Sequence, residues 1–445
     1  MSFQTVKVAK NRKHGLLVLT LTMNLGSVIK SFIFILLKAF YGIIIRRKDP
    51  HRSDKVRKAG AYGARSMREL LPIFIISMVL AGLSEMQSDY QMNPDGGRVC
   101  VRKDRLFFFI MAVLAAGFVG LRTRYNDTGG YRMVYENMDV SRSLFETVKF
   151  YDLSTSPGFV FVNYLLRHAN VTTEGYIMTY ALFDIGVILW FVRKHTNTIT
   201  LSIFLVFATG VYTFCMAAIM QMTALAFCLL AVDRLLERKY LYFLIFIVLG
   251  IFFHTFCIVF LLASFMQEAP WTRNTYIMII AVIIGIIFFK PLLTVVIDIT
   301  NALGETYTVD GFTGEGVNVF RAAVSIVPAF LSFLVQGELQ DSEDREKNLL
   351  VNLAILNGAL MVLGLFGTAN YFARMANYFC IFQVFALPIL FECFDEHTER
   401  ILKIGCVVGY LAYFYYSRGI MYGGFDRNFE RITLGEFLKT GYFKH

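Results

Sequence analysis

Charged residues are scarce in this sequence, and apolar residues are abundant. Only 17% of the 445 residues are Asp, Glu, Lys or Arg, whereas 56% are hydrophobic and the mean hydropathy is +0.55. A soluble domain of this length carries more charge than that. A helix needs roughly 20 apolar residues to cross a bilayer, and long apolar runs recur almost to the C-terminus. The composition therefore excludes an ordinary soluble protein and predicts a membrane protein.

Several further absences narrow the class. The strand-length alternation of a transmembrane barrel is missing, so a bundle of helices is favoured. No phosphate-binding loop with a lysine, no His-Glu-x-x-His and no nucleophile elbow occurs, and these motifs mark large groups of soluble enzymes. The seven cysteines are scattered, which is typical of packing residues rather than of disulfides or metal ligands. The net charge of +10 lies largely in loops and suits contact with anionic lipid, not nucleic acid.

The apolar runs predict an all-α, polytopic membrane protein of about 12–14 transmembrane helices. We divide the chain into an N-terminal extension, 1–69, a membrane domain, 70–419, and a tail, 420–445. The extension contains a further apolar segment, 16–45, and a basic loop. No internal repeat is visible, which weakens a transporter built from inverted halves. The expected spans are 70–88, 106–121, 175–193, 197–214, 215–232, 240–253, 254–267, 273–290, 320–336, 348–368, 377–394 and 401–419.

Basic loops set the expected orientation, because short cytoplasmic loops carry an excess of Lys and Arg. The loops 98–105, 193–195 and 234–239 are basic and are assigned to the cytoplasmic side. The acidic stretch 338–347 falls on the same side. Crossing parity then places outside the segments 122–156, 291–319, the turn 370–374 and the tail.

One conflict arises near the N-terminus. The loops 46–69 and 89–105 are both basic, yet a single expected span, 70–88, separates them. Either that span does not cross fully or one loop departs from the charge rule.

The most informative polar residues follow the apolar run 106–121 directly. Arg122 and Arg124 are typical of the anchors that end a span. Asp127 is harder to explain in that way, since an anchoring patch needs no acid. Charges so close to hydrocarbon are costly unless they face a cavity or a ligand, so this segment is a candidate functional site.

Other polar residues are expected at the outer ends of spans. The apolar runs on either side of His254 predict a helical hairpin whose tip, His254, points outward. Arg321 and Arg374 each precede a span, and Gln221 lies just inside one. Each residue alone is explained by anchoring or packing. Together they predict a site for an anionic, lipid-linked group, above all a pyrophosphate, because a guanidinium binds phosphate oxygens through two hydrogen bonds.

Four stretches resemble the EpsG family of bacterial polysaccharide polymerases, which is related in role to the Wzy O-antigen polymerases. The order of Asp127 and Thr128 is reversed relative to the family segment, and Met220 stands where the family usually has an arginine before Gln221. The similar stretches are 120–131, 156–167, 217–254 and 373–379 with 387–388.

The resemblance implies a metal-independent membrane glycosyltransferase of GT-C-like fold that needs no cofactor. Such a protein polymerises undecaprenyl-pyrophosphate-linked oligosaccharide repeat units into O-antigen, capsule or exopolysaccharide, at the outer face of the bacterial cytoplasmic membrane. The growing glycan leaves its pyrophosphate carrier, so preorganised arginines would stabilise the charge that develops there.

We assign expected roles on this basis. The catalytic candidates are Arg122, for the leaving pyrophosphate, and Asp127 or His254, as general base for the acceptor hydroxyl. A retaining reaction would require no such base. The residues expected to bind pyrophosphate or glycan are Arg124, Arg321, Arg374, Tyr131, Tyr135 and Gln221.

Two other functions compete with this interpretation. A flippase or transporter of lipid-linked glycan would line a cavity through the whole membrane. A membrane acyltransferase would use a catalytic histidine, but no His-Asp pair surrounds His254. The expected partners are the undecaprenyl-pyrophosphate-linked glycan and the lipid bilayer, with a chain-length regulator and a flippase as candidate protein partners.

Overall fold

A computed structural model describes most of the chain beyond the N-terminal extension. The apolar segment 16–45 and nearly all of the expected extension 1–69 lie outside the described residues, as does most of 291–319. The described residues are 67–92, 98–150, 156–288, 294–295, 297–298, 316–366 and 372–444.

Helices dominate the described part. The first half contains α1 (Leu70–Met86), β1 (Asp89–Met92), β2 (Arg98–Arg102), α2 (Leu106–Gly120), β3 (Arg122–Arg124), α3 (Thr128–Glu136), α4 (Leu144–Phe150), α5 (Pro157–His168), α6 (Thr173–His195), α7 (Ile199–Ala208) and α8 (Val211–Ala217). The second half contains α9 (Ile219–Leu236), α10 (Tyr240–Phe253), a 3₁₀ helix (Thr255–Phe265), α11 (Arg273–Ile287), α12 (Val319–Leu334), α13 (Gln336–Gln340), α14 (Arg345–Leu363), α15 (Phe372–Phe379), α16 (Gln383–Phe391), α17 (Glu396–Phe414), a π-helical turn (Tyr415–Ile420), β4 (Glu430–Arg431) and α18 (Leu434–Thr440).

The expected all-α, polytopic membrane class is confirmed. Within the described ranges, α6, α9, α14 and the continuous segment Phe372–Phe391 are long and apolar enough to cross a membrane. The pair α7 and α8 makes a fifth candidate, bent by 46°. Other expected spans form shorter helices, such as α2 with 15 residues. At about 1.5 Å per residue, a helix of that size is shorter than the hydrocarbon core of a bilayer.

The outward faces of several helices are apolar. Ile75 on α1, Phe109 on α2, Leu241 on α10 and Ile283 on α11 are all exposed large hydrophobic residues, and each has exposed apolar neighbours on its own helix. Exposed apolar patches of this extent are unfavourable in water and typical of a surface that contacts lipid. They agree with the membrane class.

Aromatic and amide side chains pack in the interior of the bundle. Phe385 and Phe391 of α16 are fully buried. Amides join the central helices: Asn357 donates to the Ala376 carbonyl at 2.6 Å, and Gln383 donates to the Asn357 side chain at 3.0 Å. Buried polar groups are stable only when they are hydrogen-bonded. These bonds therefore fix the position of α14 against α15 and α16.

The helix bundle has two polar ends. The first, here called the hairpin end, holds the β1–β2 hairpin and the last residues of α6 and α9. Lys103 after the hairpin donates to the Lys194 carbonyl at 2.8 Å, and His195 Nε2 lies 3.1 Å from the Asp233 carboxylate. The loops assigned to the cytoplasmic side thus lie together.

The opposite end, here called the tail end, holds β3, β4 and the tail. Arg122 pairs with Arg431 across an antiparallel ladder, and Thr172 N donates to the Tyr442 carbonyl at 2.9 Å. Arg68 N donates to Asp426 at 2.7 Å, so α1 begins at the tail end. Since α1 finishes beside the β1–β2 hairpin, it runs from one polar end to the other. Residues 46–66 of the basic loop lie outside the described residues.

Candidate active site

A cavity of about 300 Å³ opens at the tail end, where several helices are interrupted. Its walls come from the α7–α8 break, the beginning of α12, the middle of α15 and the π-helical turn. The lining includes four amide and two guanidinium side chains, groups that can bind sugar hydroxyls and anions. Its principal polar residues are Asn126, Asn318, Arg321, Asn377, Gln383 and Arg418.

The α7–α8 break depends on Gly210. Its φ of +90° lies in the left-handed region that favours glycine. A Cβ atom at this position would also overlap the guanidinium of Arg418. Gly210 therefore allows the helix to turn and leaves room for a cation in the cavity wall.

Arg321 lies in the first turn of α12. The side chain of Asn318 caps this helix by accepting from Phe320 N and Arg321 N, at 3.0 and 3.3 Å. The guanidinium of Arg321 donates to the Asn377 side chain on α15. Its described partner is thus a neutral amide, which leaves the positive charge available to an anion.

The position of Arg122 differs from the one expected for a residue that binds phosphate. It is only 2% exposed and does not line the cavity. Its guanidinium donates to the Val119 carbonyl at 2.6 Å and to the Thr128 hydroxyl at 3.1 Å. Burial lowers the pKa of Arg122 to about 10, so it stays a cation at neutral pH. These bonds hold the turn that presents Asn126 and Asp127.

Asp127 is exposed beside the cavity. It follows Asn126, a lining residue whose φ of 43° is left-handed. The Asp127 carbonyl accepts from Tyr131 N at 3.1 Å, which begins α3. Burial, with a contribution from the Asp127 charge, raises the pKa of Tyr131. Asp127 therefore combines an accessible carboxylate with a fixed backbone.

His254 lies between α10 and the 3₁₀ helix, so the expected hairpin is present. At this tip His254 is partly buried, and its Nδ1 lies 2.9 Å from the Tyr378 hydroxyl. Burial, with a contribution from Arg374, lowers the pKa of His254 to about 4. The imidazole is therefore neutral at physiological pH.

Arg374 and Gln221 connect His254 to the cavity edge. Arg374 is exposed, and its neighbour Ala373 lines the cavity. Gln221, which is 5% exposed, donates to the Arg374 carbonyl at 2.7 Å. Gln221 thus fixes the backbone that presents Arg374.

Three other residues that were expected to bind pyrophosphate or glycan contact other parts of the protein. Tyr135 is 0% exposed, stacks on Tyr176 and donates to the Val171 carbonyl at 2.9 Å, which leaves no ring face for a sugar. Arg124 forms an ion pair with Glu430 at 2.8 Å. Tyr131 packs edge-on against Phe159.

The EpsG family model matches residues 105–422, which is well over half of the chain and includes every cavity residue named above. The chain belongs to the EpsG family. No curated protein and no solved structure matches it, so the expected GT-C-like fold stays a prediction. Family membership indicates a membrane transferase with a role resembling polysaccharide polymerisation.

For this EpsG-family protein the structure adds residues that sequence reasoning missed, above all Arg418 and Asn377. Arg418 ends the apolar run 401–419 as Arg122 ends its own, and that signal was available in the sequence. Asn377 is the first residue of an expected span and lies in the family-like stretch 373–379, but no role was assigned to it. In the part of the chain that the structure describes, no three His, Cys, Asp or Glu side chains are grouped as metal ligands.

Proposed function

We propose that this protein polymerises undecaprenyl-pyrophosphate-linked oligosaccharide repeat units into surface polysaccharide at the outer face of the bacterial cytoplasmic membrane. One observation carries the proposal: Arg321 and Arg418 line a single cavity at the tail end, beside Asp127 and Arg374. Guanidinium groups suit a diphosphate because they bind phosphate oxygens in a planar, charge-assisted geometry.

The reaction requires one bond to break and one to form. The anomeric C–O bond to the pyrophosphate breaks, and its electron pair stays on the pyrophosphate oxygen. The hydroxyl oxygen of a second lipid-linked unit forms the new glycosidic bond, and its proton passes to a base. Arg321 would stabilise the charge on the leaving pyrophosphate more strongly in the transition state than before it.

Asp127 and His254 remain the two candidates for that base. Asp127 is exposed at the cavity edge and carries a fixed backbone. His254 serves only if its Nδ1–H donates to Tyr378, because the other nitrogen is then free to accept a proton. The exposed position of Asp127 favours it, because the sugar of a lipid-linked acceptor extends into the aqueous phase at that face.

The outer-face location rests on the charge of the loops. The basic loops 193–195 and 234–239 lie at the hairpin end, which assigns that end to the cytoplasm. The cavity lies at the opposite end. The alternative, a flippase for lipid-linked glycan, would place polar lining along the full depth of the membrane, whereas the described lining contains no hairpin-end residue.

The test is the length distribution of surface glycan in a deletion strain that carries plasmid-borne variants. Arg321→Gln should remove the long glycan chains, which appear as a ladder on a gel, and leave single lipid-linked repeat units. The repeat units are still made and delivered, but they are no longer joined. Arg400→Gln is the matched control, since Arg400 is exposed and pairs with Glu396 at the far end. A normal ladder from Arg321→Gln at equal protein level would refute the proposal.

A further inference from the structure

We propose that Arg418 is a second diphosphate-binding residue of the cavity and that Gly210 leaves the space that its guanidinium occupies. The inference rests on the proposed function, which it deepens by assigning the group that holds the second phosphate. Arg418 belongs to the π-helical turn Tyr415–Ile420 and lines the cavity with Arg321. Short π-helical turns are frequent at functional sites.

Arg418 lacks the carboxylate partner that three other arginines at the tail end have. Arg124, Arg132 and Arg431 each form an ion pair with a glutamate. Among the described residues Arg418 has no ion pair, and its buried Nε has no hydrogen-bond partner. Because no carboxylate competes for it, the guanidinium of Arg418 is available to an anion in the cavity that it lines.

Gly210 supplies the second, independent observation. The Arg418 guanidinium lies against the backbone of Gly210, where any side chain would displace it. The left-handed φ of Gly210 also sets the 46° bend between α7 and α8. The same residue therefore shapes the cavity wall and positions the cation in it.

The chemistry of the ligand follows from the number of cations. A diphosphate presents two phosphate groups, and two separate guanidinium groups offer each phosphate a paired set of donors. Arg321 is tethered by Asn377, whereas the guanidinium of Arg418 lies against the backbone of Gly210. We assign the phosphate next to the sugar to Arg321, which lies beside the amides, and the phosphate next to the lipid to Arg418.

The experiment is equilibrium binding of inorganic pyrophosphate and of undecaprenyl pyrophosphate to the purified full-length protein in nanodiscs. Arg418→Gln should weaken the binding of both probes by about tenfold or more, because it removes charge and donors from a phosphate. Arg418→Lys should weaken it to an intermediate extent, since charge stays but the paired geometry is lost. Gly210→Ala should weaken it without changing any charge.

Arg427→Gln is the matched control, because Arg427 is an exposed arginine at the same end that does not line the cavity. Unchanged affinity in Arg418→Gln, with affinity lost in Arg321→Gln, would overturn the role of Arg418 and leave the polymerase proposal intact. A wild-type protein that builds a normal ladder but binds neither probe would also overturn it. If Arg418→Gln does not fold, Arg418→Lys decides the question.

Discussion

The cationic side chains at the two polar ends of the bundle have different partners. At the hairpin end, Asp233 is 1% exposed and accepts from Lys194, His195 and Arg234 together. At the tail end, the cavity arginines have a neutral amide or packing contacts instead of a carboxylate. Cations that are fully paired stabilise the fold, whereas cations left beside a cavity are available to a ligand.

The same division runs within the tail end itself. Arg122 is buried and bonded to backbone and hydroxyl oxygens, while Arg321 faces the cavity. Both residues follow the same sequence signal, an arginine next to an apolar run. Their environment, not their spacing, separates a structural role from a binding role.

Loss of Asp233 should have the largest effect on stability. Asp233→Ala leaves Lys194, His195 and Arg234 without the carboxylate to which all three donate, and breaking a buried ion pair costs about 3–5 kcal/mol. We expect a large fall in melting temperature and in folded yield. The ladder per folded molecule should be unchanged.

The control for this prediction is Asp139→Ala, because Asp139 is exposed and its partners among the described residues are neighbours in its own turn. A loss of polymer from Asp233→Ala at equal folded protein would contradict the division between the two ends.

Arg122→Lys should have the next largest effect, and again on stability. A lysine cannot reproduce both bonds of the guanidinium, and a lost hydrogen bond from a charged group costs about 1.5–3 kcal/mol. Polymer should fall only in proportion to folded protein, measured by gel ladder and blot. A tenfold or greater loss of polymer per folded molecule would restore the catalytic role first expected for Arg122.

The pH profile gives a smaller and more specific test of His254. Its pKa is lowered to about 4, so the neutral form persists as the pH falls through the ordinary histidine value of ~6.5. If His254 is the base, chain growth should stay level through that range and fall only near pH 4. Initial rates in isolated membranes measure this, with His254→Ala and Asp127→Asn as the variants that separate the two bases. A midpoint near ~6.5 would show an unperturbed imidazole.

The smallest effect is expected from Arg124. Its ion pair with Glu430 is more than half exposed on both sides, and such pairs contribute about 0–1 kcal/mol. Arg124→Gln should leave both the melting temperature and the ladder nearly unchanged. A shortened ladder would mean that Arg124 contacts the glycan, as first predicted from the sequence.

Much of the helical architecture was predictable, because long apolar runs in a sequence indicate membrane helices. The grouping of Asp127, Arg321 and Arg374 at one end also followed, because loop charge fixes the side of the basic loops and the number of spans then fixes the side of the other segments. The burial of Arg122 did not follow, because it depends on how the turn from Leu121 to Thr128 folds back onto the helix end.

Long-range pairing was equally invisible in the sequence. Strand β4 has two residues and pairs with a strand some three hundred positions earlier, so neither could show a strand pattern. The position of the Arg418 side chain depends on Gly210, which is also distant in sequence. Signals of this kind exist only in the folded chain.

The most direct test of the account is reconstitution of the purified protein in liposomes with a defined lipid-linked repeat unit. We expect lipid-linked glycans that grow by whole repeats, with one undecaprenyl pyrophosphate released for each transfer. Growth should be lost in Arg321→Gln and kept in Arg400→Gln. Movement of the lipid-linked unit across the bilayer at unchanged length, without release of the carrier, would contradict the account and identify a transporter.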